Sequence, residues 1–146
     1  MAYHLMTNHE VNSFLASNPA RPGTLATTRV DGRPHVAPVW FVTDDNGDIV
    51  FNTGRDTVKG RNLARTLFAA LCVQDDRAPY SFVTIEGSVV LSEDLEEVGR
   101  WATIIGGRYM GKSRAEEFGA RNGVEGELLV RLHPDRIVSA ANVADG

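Results

Sequence analysis

The chain has 146 residues, of which 42% are apolar and 23% are charged, so it is neither disordered nor a fibrous repeat and suits one domain spanning residues 1–146. Its net charge of −4 gives no reason to expect binding to nucleic acid or to an anionic membrane surface. No apolar run approaches the roughly 20 residues that span a bilayer, and the N-terminus lacks the features of a signal peptide, so we expect a cytoplasmic protein.

The N-terminal third of the chain predicts a short helix followed by strands. Thr7 and Glu10 have the spacing of a capping box, and apolar residues follow them at helical intervals. Asp31-Gly32 is a typical hairpin turn, and the Asp44–Gly47 segment is a second turn signal. The strands predicted around these turns are residues 24–30, 35–43 and 48–53.

The rest of the chain continues as strands interrupted by helices. Asp56 or Thr57 is suited to cap a helix that runs to about Thr66, and Gly87 suggests a bulge in a long strand. The remaining strands are predicted at residues 67–74, 80–91, 127–132 and 136–140, and the remaining helices at 92–104 and 113–120. Because these strands do not alternate with helices as in a βαβ fold, we predict a mainly β, α+β protein. Its core would be a six- to seven-stranded antiparallel barrel with short flanking helices.

The first candidate site lies at the start of the helix near residue 57. On a helix beginning there, Arg55, Lys59 and Asn62 stand at i, i+4 and i+7, so two cations and an amide are expected to point the same way. The free N–H groups and the positive dipole of the helix N-terminus add to them. This pattern indicates a phosphate site, to which Thr53 would add a hydroxyl. The alternative is a solvated helix face.

The second candidate is the segment Pro38-Val39-Trp40. A proline inside a strand removes a hydrogen-bond donor from the ladder, which suggests an edge or an opening where a flat ring can enter. Trp40 would line such a pocket, although an indole flanked by Val and Phe is more often a core residue. Tyr80 and Phe82, which alternate on the long strand, leave the same choice open between the core and the wall of a cofactor site.

Residues 106–113, Gly-Gly-Arg-Tyr-Met-Gly-Lys-Ser, match the P-loop pattern of nucleotide hydrolases. That loop needs a preceding strand and further strands to carry a magnesium-binding aspartate, whereas a helix is predicted at residues 92–104. We therefore expect these residues to shape the rim of the barrel, with Arg108 or Tyr109 near a substrate or a subunit contact. No histidine pair has zinc-ligand spacing, and neither a nucleophile elbow nor a dinucleotide-binding glycine motif is present.

Several short motifs, taken together, suggest a family. They are Asp31–His35, Pro38–Phe41, Asn52–Arg55, Lys59–Leu63, Tyr80–Gly87, Gly107–Gly111 and Arg131–Pro134. Their succession resembles the pyridoxamine-phosphate-oxidase-like split β-barrels, and among these the actinobacterial deazaflavin-dependent reductases. The likeness covers nearly the whole chain. The C-terminal substrate-phosphate signature of the true pyridoxamine oxidases is absent, so oxidation of vitamin B6 is not expected.

The resemblance implies a homodimer with two equivalent clefts, each built by both chains. It implies that Lys59 and Arg55 hold a cofactor phosphate and that Thr53 and Asn62 add hydrogen bonds. The residues implied to face the ring system are Pro38, Val39 and Trp40, and those implied to reach the cleft from the neighbouring chain are Tyr80 and Phe82.

Flavin mononucleotide (FMN) and coenzyme F420 share a tricyclic ring, a ribityl chain and a phosphate, so a phosphate site does not by itself separate them. Arg61 and Arg65 would suit the oligoglutamate tail of F420, which favours the deazaflavin. The resemblance then implies an oxidoreductase that transfers a hydride from reduced F420 to an electron-poor, conjugated small molecule, with solvent or Tyr109 as the proton donor. The alternatives are an FMN-dependent oxidase or reductase and a non-catalytic cofactor-binding protein.

Overall fold

The computed structural model describes residues 2–146 as an eight-stranded antiparallel sheet with four α-helices. The strands are β1 (Gly23–Thr28), β2 (Pro34–Val39), β3 (Val42–Thr43), β4 (Ile49–Gly54), β5 (Phe68–Asp75), β6 (Ser81–Ser92), β7 (Glu127–Leu132) and β8 (Arg136–Ala140). The helices are α1 (Asn8–Leu15), α2 (Val58–Thr66), α3 (Leu95–Met110) and α4 (Ala115–Asn122). The predicted α+β class is confirmed. Within residues 2–146, no helix is long and apolar enough to cross a bilayer.

The sheet curls until its two edges meet. Its strand order is β2-β1-β5-β6-β7-β4-β3, so β2 and β3 are the edge strands at the two ends of this order, and β8 pairs with β6 beside it. Only Trp40 and Phe41 separate these edge strands along the chain. The barrel is therefore joined here by the chain itself rather than by a hydrogen-bonded ladder, which makes it a split barrel. Pro38 lies on the edge strand β2, which confirms the prediction that a proline without an N–H donor marks an edge or an opening.

The prediction of one continuous strand at residues 35–43 is wrong. Its first part, Pro34–Val39, pairs with β1, whereas Val42–Thr43 pairs with β4 on the other side of the split. This break raises the number of strands from the six or seven predicted to eight. The physical reason is that one apolar run serves both edges of the sheet, a division that a pattern of apolar residues does not reveal.

The two faces of β4 and β7 are both buried. On the inner face, Phe51 and Val130 belong to the barrel core. On the outer face, Val50 and Leu129 pack against Val98 and Ile105 of α3. Because these strands contact apolar side chains on both sides, their sequences are continuous apolar runs instead of alternating ones.

The helix caps follow the local sequence. The Thr7 hydroxyl accepts from the Glu10 N–H and the Glu10 carboxylate accepts from the Thr7 N–H, which confirms the capping box. Thr57 caps α2 as predicted.

Helix α3 runs further than expected, to Met110, and so contains most of the P-loop pattern. A Cβ at Gly106 would lie 2.4 Å from the Cβ of Phe118, so this glycine allows α4 to pack closely on α3.

Gly87 does not form the predicted bulge. It pairs in regular register with Ala69 of β5. A Cβ at this position would lie 1.7 Å from the carbonyl oxygen of His133. The glycine therefore lets the connection between β7 and β8 cross directly over β6.

Candidate functional site

A cavity of about 320 Å³ opens where the two sheet edges meet. Its size lies at the lower end of the range for small-molecule sites. The residues that line it are Pro22, Pro38, Val39, Trp40, Asn52, Lys59, Ile105 and Asn122. The structure thus brings together the edge segment Pro38–Trp40 and Lys59, which the sequence had nominated as two separate candidates.

Lys59 is held at this cavity by the turn between β4 and α2. The Thr57 hydroxyl donates to the Gly54 carbonyl (2.7 Å) and accepts from the Gly60 N–H (3.0 Å). A Cβ at Gly60 would lie 2.1 Å from the Gly54 carbonyl oxygen, so a glycine is needed for the helix to pack on the turn. In the part of the chain that the structure describes, no acidic side chain lies within 4.0 Å of the half-buried Lys59 ammonium. Its charge is therefore available to a ligand.

The other residues predicted to bind phosphate do not line the cavity. Arg55 precedes α2, and its Nη1 donates to Glu93 Oε1 at 2.8 Å. Asn62 is buried, and its Nδ2 donates to Thr27 Oγ1 (3.0 Å), which anchors α2 on β1. Thr53 is buried behind the cap of α2. The expectation that Arg55, Lys59 and Asn62 share one face is wrong, because the helix begins after Arg55 and Asn62 faces β1.

The two cations assigned to an oligoglutamate tail also differ from each other. Arg65 donates to Asn62 Oδ1 at 3.1 Å and to the Thr28 carbonyl, so its guanidinium fastens α2 to the end of β1. Arg61 is exposed on the same helix. Neither lines the cavity.

The indole ring of Trp40 forms a flat wall of the cavity and is held in place by two aromatic side chains. Its ring stacks on Tyr109 with centroids 5.2 Å apart and planes 2° from parallel, and it meets the edge of Phe118 at 5.7 Å. It remains 39% exposed, so part of the indole is free to contact a ligand. Helices α3 and α4 therefore hold Trp40 in place beside the cavity.

The Tyr109 hydroxyl is already engaged. It donates to the Arg21 carbonyl (2.8 Å) and accepts from the Phe41 N–H (3.3 Å). Burial raises the pKa of this phenol. Burial outweighs the hydrogen bond from Phe41, which lowers the pKa, and the donated hydrogen bond also holds the proton on the oxygen. Tyr109 therefore positions Trp40 and Phe41 and is a poor candidate for the proton donor.

Tyr80 and Phe82 lie away from the cavity of their own chain. Tyr80 sits before β6 with a φ of 65° and a largely exposed ring. Phe82 pairs with Gln74 and faces away from the barrel core, because its neighbour Val83 is fully buried inside. Their contribution to a neighbouring chain's cleft stays a prediction.

Asn52 is one of the cavity-lining residues that the sequence analysis did not nominate. It lines the cavity, and its Nδ2 is buried with no hydrogen-bond partner among residues 2–146. Buried amide donors are nearly always satisfied, so this one is suited to an acceptor on a ligand. The available signal was an amide directly after the three apolar residues that begin β4.

The curled antiparallel sheet, the split between its edges and the cavity at the split place the protein among the α+β split barrels. A family model described as pyridoxamine 5'-phosphate oxidase matches residues 7–139. The chain belongs to this family, which confirms the resemblance carried by the sequence motifs.

Solved structures agree with this assignment. The conserved hypothetical protein Rv2991 from Mycobacterium tuberculosis is 27% identical and has a TM-score of 0.81, with 94% of this chain and 86% of that chain covered. An F420 reductase is 25% identical and has a TM-score of 0.65, with 80% and 88% covered. The heme storage protein HutZ from Vibrio cholerae, at 19% identity and a TM-score of 0.69 over 90% and 94%, is similar in fold alone.

Proposed function

We propose that the protein binds coenzyme F420 in the cavity beside Lys59 and transfers a hydride from the reduced cofactor to an electron-poor, conjugated small molecule. The observation that carries this proposal is that one cavity brings together Lys59, which has no acidic side chain within 4.0 Å among residues 2–146, and the indole ring of Trp40, which is held by stacking on Tyr109. The likeness to an F420 reductase supports the deazaflavin over other flavin-type cofactors.

The residues present fit a phosphate-bearing, oxygen-rich ring system. The buried Asn52 amide offers a donor that finds no acceptor in the described part of the chain. Lys59 lies in the first turn of α2, where N–H groups and the helix dipole favour an anion. Pro38, Val39 and Trp40 offer a flat, largely apolar surface. When bound, reduced F420 supplies the hydride. The protein orients the ring, excludes water from one side and leaves protonation of the product to solvent.

The site is tested by replacing Lys59. We expect Lys59→Ala to weaken the binding of F420 by about 1.5–3 kcal/mol, the range for a charge-assisted hydrogen bond, with little change in the free energy of unfolding. Lys112→Ala is the matched control, because Lys112 is exposed in the turn before α4. Equal dissociation constants for Lys59→Ala and wild type would contradict the assignment.

The reaction is tested with the loaded protein. We expect reduced F420 to be oxidised when a conjugated acceptor is added, and the rate to be much lower with FMN in place of F420. Tight binding and turnover with FMN alone would favour the FMN-dependent alternative. Binding without turnover over a broad panel of acceptors would favour a non-catalytic cofactor carrier.

We also propose that the protein is a homodimer. The outer face of the β2-β1-β5-β6-β8 half of the sheet exposes Val36, Phe68 and Val138, each more than 40% accessible. A second copy that covers this face would bury apolar surface and bring Tyr80 and Phe82 toward a shared cleft. Light scattering should give about twice the chain mass of 15.9 kDa. A monomer with cofactor bound at micromolar concentration would contradict the dimer.

A further inference from the structure

Glu127 places a carboxylate next to the proposed phosphate position. It is the first residue of β7 and pairs with Gly54, the last residue of β4. Because Gly54 has no side chain, the Glu127 carboxylate lies over it, and a Cβ built on Gly54 would be 3.3 Å from Glu127 Oε2. The same turn leads to the Thr57 cap of α2. The carboxylate therefore lies beside the helix end that carries Lys59.

This carboxylate has no partner within the described chain. Across residues 2–146, its oxygens accept no side-chain or backbone hydrogen bond and no cation lies within 4.0 Å. Burial raises the pKa of Glu127, and the charge of Lys59 lowers it by less. The other charged groups of the adjoining turn and loop are Arg55, which is paired with Glu93, and Asp56 and Glu125. An unpaired, half-buried carboxylate beside Lys59 opposes any anion that binds there.

We propose that Glu127 determines the specificity of the Lys59 site, by disfavouring a dianionic phosphate monoester more than a monoanionic phosphate diester. This inference rests on the proposed function, in which Lys59 holds the phosphate. Coulomb repulsion scales with the charge of the ligand, so a dianion is penalised about twice as strongly as a monoanion. The phosphate of FMN is a monoester with a charge of about −2 above neutral pH. The phosphate of F420 is a diester with one charge, so at this position Glu127 repels the F420 phosphate less than the FMN phosphate.

The test uses FMN and its monomethyl phosphate ester, two flavins in which one added methyl group changes the phosphate from a dianion to a monoanion. At about pH 8, where the FMN phosphate is a dianion, we expect Glu127→Gln to strengthen FMN binding about tenfold and methyl-ester binding about threefold. The control is Asp45→Asn, which changes the net charge equally at an exposed residue in the turn before the opposite end of β4. The control should leave both dissociation constants within about 1.5-fold.

A pH series with the methyl ester gives a second readout, since the charge of its phosphate stays constant while Glu127 titrates. Wild-type affinity should rise as the pH falls through the pKa of Glu127, because protonation removes the repelling charge, and Glu127→Gln should be insensitive. Equal strengthening of both flavins by Glu127→Gln, a flat wild-type profile, or no binding of either flavin to either protein would overturn the inference. If Lys59→Ala leaves both affinities unchanged, the proposed phosphate site fails as well.

Discussion

Lys59 and Arg108 belong to two groups of cations that look alike in the sequence, one around the start of α2 and one around the end of α3. In the structure their surroundings differ. Arg108 donates to the carbonyls of Phe41 (2.6 Å) and Leu15 (2.7 Å), and its guanidinium lies 4.9 Å from the centre of the Phe41 ring. Lys59 lines the cavity and has no acidic partner among the described residues. A cation whose donors are used by the backbone stabilises the fold, whereas a cation without such partners is available to a ligand.

The largest expected effect is on stability and comes from replacing Arg108, the cation of this pair whose donors are used by the backbone. Arg108→Met should lower the free energy of unfolding by about 3 kcal/mol, because the carbonyls of the buried residues Phe41 and Leu15 lose a charged donor. Arg114→Met is the control, since Arg114 forms an exposed ion pair with Glu117, and its loss should leave the free energy of unfolding almost unchanged. Urea unfolding measures both. Equal losses for the two variants would show that Arg108 does not hold these segments together.

A smaller effect on stability distinguishes a positioning role of the Tyr109 hydroxyl from a role as proton donor. Tyr109→Phe keeps the ring against Trp40 and removes the hydroxyl that joins Arg21 and Phe41, so the free energy of unfolding should fall by about 1 kcal/mol. The single-turnover rate of hydride transfer should stay within about twofold, because the hydroxyl proton is held by a backbone carbonyl.

The matched control for this variant is Tyr3→Phe, which changes an exposed phenol near the N-terminus. If Tyr109→Phe slows the chemical step more than about tenfold while its stability stays near that of wild type, Tyr109 is the proton donor after all.

The smallest effect concerns an exposed charge that is tied to protein partners, Glu10. The N–H of Thr7, and then His4, lower the pKa of Glu10 from 4.5 to about 2. Since the folded pKa is depressed, the stabilisation is fully present above about pH 4.5 and is lost as the pH falls toward 2. Glu10→Gln keeps an acceptor for the capping box and removes the charge. Its urea midpoint should depend less on pH in this window, and equal slopes for both proteins would contradict the assignment.

Local sequence was a good guide to the site wherever a feature depends on near neighbours. Thr57 caps α2 and Pro38 lies on an edge strand, as the pattern indicated. The direction of Asn62 was misjudged, because its partner, Thr27, lies 35 residues away on β1. Arg55 was misjudged because α2 begins three residues after it and Glu93, also remote in sequence, pairs with it.

The sequence by itself determined the helix caps, most of the strands, the antiparallel α+β class and two of the parts from which the cavity is built, Lys59 and the Pro38–Trp40 segment. These features follow from side chains and backbone within about four residues of one another. Only the tertiary structure decided that one apolar run splits into β2 and β3, that the buried Asn52 amide has no acceptor within residues 2–146, and that Glu127 lies over Gly54. These depend on contacts between remote segments, whose geometry is set by the closing of the whole sheet.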